Sequence, residues 1–357
     1  MRKKSPLLLV LSGKERPEHL SVEAWSLLLS EARCVGVFSR LCIILDADKT
    51  SRAHIPSALR HHFESAEIEA AAFRRDVTRE LAFLREALER VGEPVLLLKG
   101  AAYVAAGVQA AVGRTFNDID LLVRRPSIAA VESSLLLAGW HTGNRDPYDE
   151  RYYREWSHEI PPMTHMRRGT TVDLHHALVM PTCRIRVDTD AMLDRAIAIE
   201  NSEFWWRLSE EDMILHAVAH LTLNSEFERG LRDLWDVDLL FREFSTNIPL
   251  FEARMLERAS QVGLLPLLLV GLFLAKQFFS TPVSANTVSG ASWLLRSLIA
   301  NSANTRHRET KPVTQNVSDL LLMYRELYLR LPAKLLMKHV VHKAVKMFEP
   351  NPATEKI

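Results

Sequence analysis

Cysteine is scarce in this sequence, and that scarcity excludes two classes of small structural site. Three cysteines occur in 357 residues, Cys34, Cys42 and Cys183. They are too few for the disulfide framework of a small secreted domain, and they lack the paired spacing of a structural zinc site. We therefore expect reduced thiols in a cytoplasmic protein.

Net charge is also nearly absent. The 45 Lys and Arg residues are balanced by 44 Asp and Glu residues, which leaves a net charge of +1. A surface that is basic overall is excluded, so any contact with nucleic acid has to come from a local patch.

Long hydrophobic runs are missing as well. Residues 1–13 imitate a signal peptide, with basic residues before a short leucine run, but charged residues 14–16 follow without a small-residue cleavage site. This pattern favours a first helix or strand over export. The apolar stretch 262–279 is interrupted by Pro266 and Lys276, so it predicts a buried helix and no transmembrane segment.

The elements predicted by hydrophobic periodicity divide the chain into three parts. Helical patterns fill much of 21–90, strand patterns with intervening helices follow, and helical patterns return from 209 onward. We predict an α+β fold in which a small mixed-sheet core is flanked by N-terminal and C-terminal helical regions. The predicted boundaries are 1–92, 93–207 and 208–357. In the middle part we expect strands at 95–98 and 115–123, helices at 101–111 (closed by Gly113) and 126–138, and a hairpin of 159–166 with 170–174. In the last part we expect helices at 210–223, 231–244, 250–262 and 264–279, a loop at 281–292, and a last helix at 317–348.

Asp118 and Asp120 lie one residue apart within an apolar run. Alternation along a strand puts both carboxylates on one face, ~6.5 Å apart, while Ile119 and Leu121 point to the other face. Two unit charges at that distance repel by roughly 2–3 kcal/mol at an effective dielectric near 20. A divalent cation would turn this repulsion into a ligand set, so the pair predicts metal-dependent chemistry.

Asp173 lies in a second alternating segment, where it shares a face with Thr171 and His175. If this strand neighbours the first, three carboxylates converge. Such a set can hold two magnesium ions around a phosphoryl centre.

Ordered motifs extend this pattern along most of the chain. They are Leu97-Leu-Lys-Gly100, Arg114-Thr-Phe-Asn-Asp-Ile-Asp-Leu-Leu-Val123, Leu135-Leu-Leu-Ala-Gly-Trp140, Val172-Asp-Leu-His175, Glu210-Glu-Asp-Met-Ile-Leu-His216 with His220, and Leu231-Arg-Asp-Leu-Trp-Asp-Val-Asp-Leu-Leu240. Over about residues 20–280 the chain resembles the uncharacterised nucleotidyltransferase family of the DNA polymerase β-like superfamily. The ordered set is far more specific than Asp-x-Asp alone.

This resemblance implies a nucleotidyltransferase core in which Asp118, Asp120 and Asp173 hold Mg²⁺, with Mn²⁺ as the alternative. An acceptor hydroxyl would attack the α-phosphate of a nucleoside triphosphate and release pyrophosphate, with Asp173 nearest the nucleophile. Lys99 and Gly100 occupy the place of the Gly-Ser pair of better-studied members and are expected to bind the triphosphate.

Further residues have both a functional and a structural interpretation. Arg114 could steady the same phosphates, although an ion pair with a nearby acid explains it equally well. His175 could orient the acceptor or a metal-bound water, or be an ordinary strand histidine. His216 and His220 have a spacing that can bind zinc, but the metalloprotease pattern His-Glu-x-x-His is missing, which favours interior histidines paired with Asp233 or Asp236.

Two alternative functions stay open from the sequence. One is a glycosyltransferase whose Asp-x-Asp holds a metal and a nucleotide sugar, although the long helical region before the motif disfavours it. The other is a non-catalytic scaffold derived from a transferase, which could use the basic residues of 317–348 to bind a partner. The acceptor itself, whether RNA, protein or small molecule, is not specified by any residue pattern.

Overall fold

Short and long helices form the first part of the protein. The computed structural model describes residues 4–143, 146–200 and 202–338. The Ser21 side chain accepts a hydrogen bond from the backbone N–H of Ala24 and caps the second helix. The N-terminal leucine run forms the first helix, and Leu7 is fully buried in the core. The helices of this part are α1 (Pro6–Leu11), α2 (Val22–Cys34), α3 (Phe38–Ala47), α4 (Lys49–His54) and α5 (Arg60–Leu88).

A mixed sheet with four short helices follows. In spatial order its strands are β3 (Trp140–Thr142), β4 (Met163–His165), β5 (Thr171–His175), β2 (Asp118–Leu122), β1 (Val95–Leu97), β7 (Trp205–Arg207) and β6 (Ile197–Ala198). The pairs β2–β5 and β1–β7 are parallel, and the other neighbours are antiparallel. The predicted hairpin is confirmed as the antiparallel pair β4–β5. The helices between these strands are α6 (Lys99–Ala106), α7 (Ile128–Leu137), α8 (Pro147–Arg151) and α9 (Thr189–Leu193).

Two predicted elements of this part are shorter than expected. The helix expected at 101–111 stops at Gly107, whose φ of 68° forms a left-handed C-cap, so Gly113 does not close it. The strand expected at 159–166 is reduced to Met163–His165. Pro161 and Pro162 have no N–H to donate to the ladder, which explains why the strand begins after them.

Helices again make up the last part. The predicted helix at 264–279 is confirmed as a largely buried element. The segment 281–292 contains a short helix and is not the continuous loop we expected. Among the described residues, no helix is long and apolar enough to cross a membrane. The elements are α10 (Glu210–Leu223), α11 (Gly230–Asn247), α12 (Phe251–Gln261), α13 (Leu265–Phe279), α14 (Ala285–Ser289), α15 (Trp293–Ser302) and α16 (Gln315–Arg330).

The prediction of a single helix at 317–348 is wrong. α16 ends at Arg330, because Pro332 cannot continue the hydrogen-bond ladder, and helical backbone resumes only at 333–338. The rest of the predicted helix, 339–348, lies outside the described residues.

One apolar core extends through all three parts of the chain. Buried side chains from Leu7 in α1, Leu121 in β2 and Leu322 in α16 belong to the same cluster. The division at 92/93 and 207/208 therefore follows the order of the elements and stays a prediction.

Candidate active site

Three carboxylates lie on one face of the central strand pair. β2 and β5 are parallel and in register, with Asp120 opposite Asp173 and Asp118 opposite Thr171. Asp118, Asp120 and Asp173 share a face because side chains alternate along each strand. Ile119 and Leu121, on the opposite face, are 3% and 0% exposed. The expectation that these strands are neighbours is confirmed.

Asp120 is the most strongly paired of the three carboxylates. Lys99 Nζ donates to Asp120 Oδ1 at 2.8 Å, and His175 Nε2 donates to the same oxygen at 3.1 Å. Burial opposes the charge on Asp120, but the Lys99 ammonium and the His175 hydrogen bond outweigh it and hold the pKa of Asp120 well below its usual value. The same contact raises the pKa of Lys99 and of His175 against their own burial. Asp120 is therefore ionised in this arrangement.

Asp173 has the opposite electrostatic environment. Its Oδ1 is buried and has no hydrogen-bond partner among the described residues. Burial, followed by the negative charges of Asp120, Glu159 and Asp118, raises the pKa of Asp173 to about 7. The carboxylate face therefore has more negative charge than its protein partners neutralise.

Lys99 reaches this face from a strained position at the first residue of α6, shortly after β1. Its φ of 45° lies in the left-handed region, which costs a residue other than glycine about 1–3 kcal/mol. The ammonium lines the cavity in front of the carboxylates, but its contact is with Asp120. The structure thus brings Lys99 to the predicted site as the partner of a predicted metal ligand.

Gly100 has a packing role in this turn. A Cβ at this position would lie 2.3 Å from Phe116 Cδ1 and 2.4 Å from Arg114 Nη1. No other residue type fits without moving these side chains, because such distances are well inside van der Waals contact. Since Phe116 and Arg114 occupy this side of Gly100, the structure gives no support to the predicted phosphate contact by Gly100.

Arg114 is directed away from the carboxylate face. The side chain is buried, Nε donates to Asp236 Oδ2 at 2.7 Å, and Nη2 lies 3.8 Å from Asp233 Oδ1. Arg114 does not line the cavity that contains Asp118, Asp120 and Asp173. The structure therefore agrees with the ion-pair interpretation of Arg114, as an interior contact between the β2 region and α11, and gives no support to the phosphate contact.

Two residues that the sequence interpretation missed lie beside His175. Glu159 Oε2 is 3.4 Å from His175 Nε2 and 3.9 Å from His158 Nε2. Extending the Met163–Val172 register would place Ile160 opposite His175, but the structure pairs Glu159 with His175 in an isolated bridge. Because the two prolines interrupt the ladder, the strand pattern could not reveal this one-residue shift.

A cavity of about 280 Å³ opens in front of the carboxylates. Helix α10 contributes His216 and His220, and α16 contributes Glu326 and Arg330. His220 Nδ1 lies 3.7 Å from Asp233 Oδ2, in agreement with the pairing predicted for this histidine. Burial, followed by the nearby Lys99 charge, lowers the pKa of His216 and of His220 well below the usual value, so both imidazoles are neutral near pH 7.

A sequence model of the uncharacterised nucleotidyltransferase family matches residues 21–280. The chain belongs to this family. Neither a curated protein nor a solved structure gave a match. Membership supports nucleotidyl transfer as the general activity and a nucleotide as substrate.

The nucleotidyltransferase match covers only part of the cavity wall. Asp118, Asp120 and Asp173 lie within 21–280, whereas Glu326 and Arg330 lie beyond it. Arg330 Nη1 is 2.9 Å from Glu326 Oε1, and Arg330 also contacts Asn224 of the matched region. Part of the cavity wall is thus supplied by a helix outside the family match.

Proposed function

We propose that the protein is a metal-dependent nucleotidyltransferase that transfers a nucleoside monophosphate from a nucleoside triphosphate to an acceptor hydroxyl. The observation that carries the proposal is the in-register pairing of Asp120 with Asp173, with Asp118 on the same face and Asp173 Oδ1 buried without a partner. Family membership supports the same reaction class.

The donor set fits Mg²⁺ or Mn²⁺. Asp118, Asp120 and Asp173 supply only carboxylate oxygens, which are the ligands that these cations prefer. The raised pKa of Asp173 comes from burial and neighbouring negative charges, and a bound cation would compensate both. When bound, the metal supplies a positive charge that stabilises the negative charge developing on the phosphoryl oxygens.

In the proposed reaction the acceptor oxygen forms a bond to the α-phosphorus. The bond between that phosphorus and the bridging oxygen of the β-phosphate breaks, and pyrophosphate leaves with the electron pair. The hydroxyl proton passes to solvent or to a carboxylate. Asp173, on β5, is assigned to the acceptor side, as the family resemblance implies.

Lys99 and His175 position Asp120 in this scheme. Both contacts converge on Asp120 Oδ1, so they fix the carboxylate while its second oxygen stays available for a ligand. The carboxylates and Glu159, Glu226 and Glu326 give the cavity more acids than the two cations Lys99 and Arg330 balance. This excess favours binding of the triphosphate together with divalent cations.

The acceptor and the base preference can be identified with labelled substrates. Each of the four α-labelled ribonucleoside triphosphates is incubated with the full chain, Mg²⁺ or Mn²⁺, and fractions of a cell extract, and label is followed into RNA, protein and small molecules. Loss of a metal ligand removes several kcal/mol of stabilisation, so Asp118→Asn and Asp120→Asn should each reduce transfer on the order of 10³-fold.

Asp76→Asn is the matched control, because Asp76 is an exposed residue of α5 that pairs only with Arg79 in the described contacts. It should transfer label like the unmodified protein. Label transfer by the Asp118 and Asp120 variants that equals transfer by the unmodified protein would contradict the proposal. So would folded protein that consumes no triphosphate with any fraction, a result that supports the non-catalytic scaffold.

A further inference from the structure

A cluster of mixed nitrogen and oxygen ligands lies beside the aspartates. In the described part of the chain, His158, Glu159 and His175 form the group whose potential ligand atoms all lie within 4.8 Å of one another. A tetrahedral metal with bonds of about 2.1 Å holds its ligand atoms roughly 3.4 Å apart. Glu159 Oε2 is 3.4 Å from His175 Nε2 and 3.9 Å from His158 Nε2, which is close to that spacing.

The backbone holds these residues in place. The Ile160 N–H donates to Leu174 O at 3.0 Å, and the His176 N–H donates to His158 O at 2.9 Å. Glu159 and His175 are themselves paired in the bridge between these bonds. The cluster is therefore built on hydrogen-bonded main chain, which favours a preformed site over a chance contact of mobile side chains.

Side-chain contacts also orient one imidazole. Ser157 Oγ lies 3.5 Å from His158 Nδ1, which leaves Nε2 facing Glu159. Metal-binding histidines commonly have such a polar partner on the second ring nitrogen. His158 is thus oriented in the manner of a ligand.

We propose that His158, Glu159 and His175 form a binding site for a divalent cation of the zinc type, separate from the carboxylate set of Asp118, Asp120 and Asp173. Two imidazole nitrogens and one carboxylate oxygen suit Zn²⁺ and Co²⁺, whereas Mg²⁺ prefers oxygen ligands alone. Three protein ligands leave a further coordination position for water or substrate.

The pair His216 and His220 is the competing site for such a cation. These histidines have suitable helical spacing, but His220 faces Asp233 at 3.7 Å, and the pair belongs to no three-ligand cluster among the residues described. The geometry therefore favours the cluster at the end of β5.

The proposed site also adjoins the aspartates. His175 Nε2 donates to Asp120 Oδ1 at 3.1 Å, so a cation bound by His175 would replace the proton in that contact. This inference does not depend on nucleotidyl transfer, because cation binding can be measured without a nucleotide.

The test is a titration of the metal-free full chain, purified without a histidine tag, with Co²⁺ or Zn²⁺ alone. We expect one equivalent of Co²⁺ to develop the strong visible absorption of a site with fewer than six ligands. About a hundredfold excess of Mg²⁺ should leave that absorption unchanged. Calorimetry with Zn²⁺ measures the same affinity.

Variants assign the ligands. His158→Ala and Glu159→Gln should weaken binding on the order of 100-fold or more. His141→Ala changes an exposed histidine of β3 and should bind like the unmodified protein, and circular dichroism checks that each variant is folded.

Three results would overturn the proposal: no binding by the unmodified protein, unchanged binding in both the His158 and Glu159 variants, or loss of binding in His220→Ala instead. Each result is independent of the labelled-nucleotide assay. Failure of this inference and failure of the proposed transfer reaction are therefore distinguishable.

Discussion

Two clusters of buried charged residues in this protein have similar composition but different surroundings. The first, here called the open cluster, consists of Lys99, Asp120, Asp173 and His175 and lines the cavity. The second, the closed cluster, consists of Arg40, Arg114 and Asp236 and does not contribute to that cavity.

The two clusters differ in how the oxygens of their carboxylates are paired. In the closed cluster each oxygen of Asp236 accepts a hydrogen bond of 2.7 Å, one from Arg40 and one from Arg114. In the open cluster both contacts converge on one oxygen of Asp120, and Asp173 Oδ1 has no partner in the described structure. A carboxylate whose two oxygens both accept hydrogen bonds from protein groups stabilises the fold. A carboxylate with an unpaired oxygen beside a cavity is available to bind a metal or a substrate.

The sharpest test of this comparison substitutes one carboxylate residue in each cluster and compares the loss of stability. Asp236→Ala leaves buried Arg40 without its carboxylate partner and Arg114 with only the 3.8 Å contact to Asp233, so the free energy of unfolding should fall by about 3–5 kcal/mol. Asp120→Asn keeps the size and an acceptor oxygen, so it should lose less stability. Urea denaturation measures both variants. The distinction between the clusters is lost if Asp120→Asn is destabilised as much as Asp236→Ala.

The pH dependence of the free energy of unfolding should report the titration of Asp173. Its pKa is raised from 3.8 to about 7 in the folded protein, so between these values the folded state holds a proton that the unfolded state has released. The stabilisation is full below the unfolded pKa and is lost as the pH rises through about 7, by a few kcal/mol in order of magnitude.

Asp173→Asn should remove this slope and make the protein more stable near pH 8 than the unmodified chain, measured by urea denaturation with chelator present. Asp76→Asn should keep the slope. An unchanged slope in the Asp173 variant would show that this carboxyl titrates normally.

Added Mg²⁺ should stabilise the protein by binding Asp120 and Asp173 of the open cluster together with the neighbouring Asp118. A ligand that binds only the folded state at a hundred times its dissociation constant adds about 2.7 kcal/mol. Thermal unfolding with and without Mg²⁺ measures the shift, which should persist in Asp76→Asn and disappear in Asp118→Asn. A shift that survives in Asp118→Asn would place the magnesium elsewhere.

The smallest expected effect concerns the packing between the clusters. Gly100→Ala places a methyl group against Phe116 and Arg114 and should cost about 1–3 kcal/mol by overpacking. Gly143→Ala is the control, since a Cβ there has no atom within 4 Å. Equal stability of the two variants in urea denaturation would mean that the turn after β1 adapts without strain.

Local patterns were sufficient for many elements because their signals are local. The start of α2 at Ser21, the bounds of α10 and the hairpin β4–β5 follow from capping, helical periodicity and alternation. The C-terminal error has an equally local cause, since Pro332 lies within the segment that we expected to be one helix. Strands β6 and β7 were missed because runs of two or three residues give almost no periodic signal.

The candidate site was only partly accessible to the same reasoning. Asp118, Asp120 and Asp173 could be placed because alternation fixes the face of each strand. Arg114 could not be assigned, because its partner Asp236 is 122 positions away in the chain. Glu159 was missed because two prolines shift the pairing register by one residue.

The sequence by itself determined the row of carboxylates, the strands that carry them and the family to which the chain belongs. Alternation and motif order are properties of neighbouring residues, and no tertiary contact is needed to establish them. The tertiary structure decided which charges are paired. It gave Arg114 to Asp236, placed Lys99 and His175 on Asp120, and brought His158 and Glu159 to the end of β5. Pairing depends on distances between segments far apart in the chain, and those distances are set only when the core has packed.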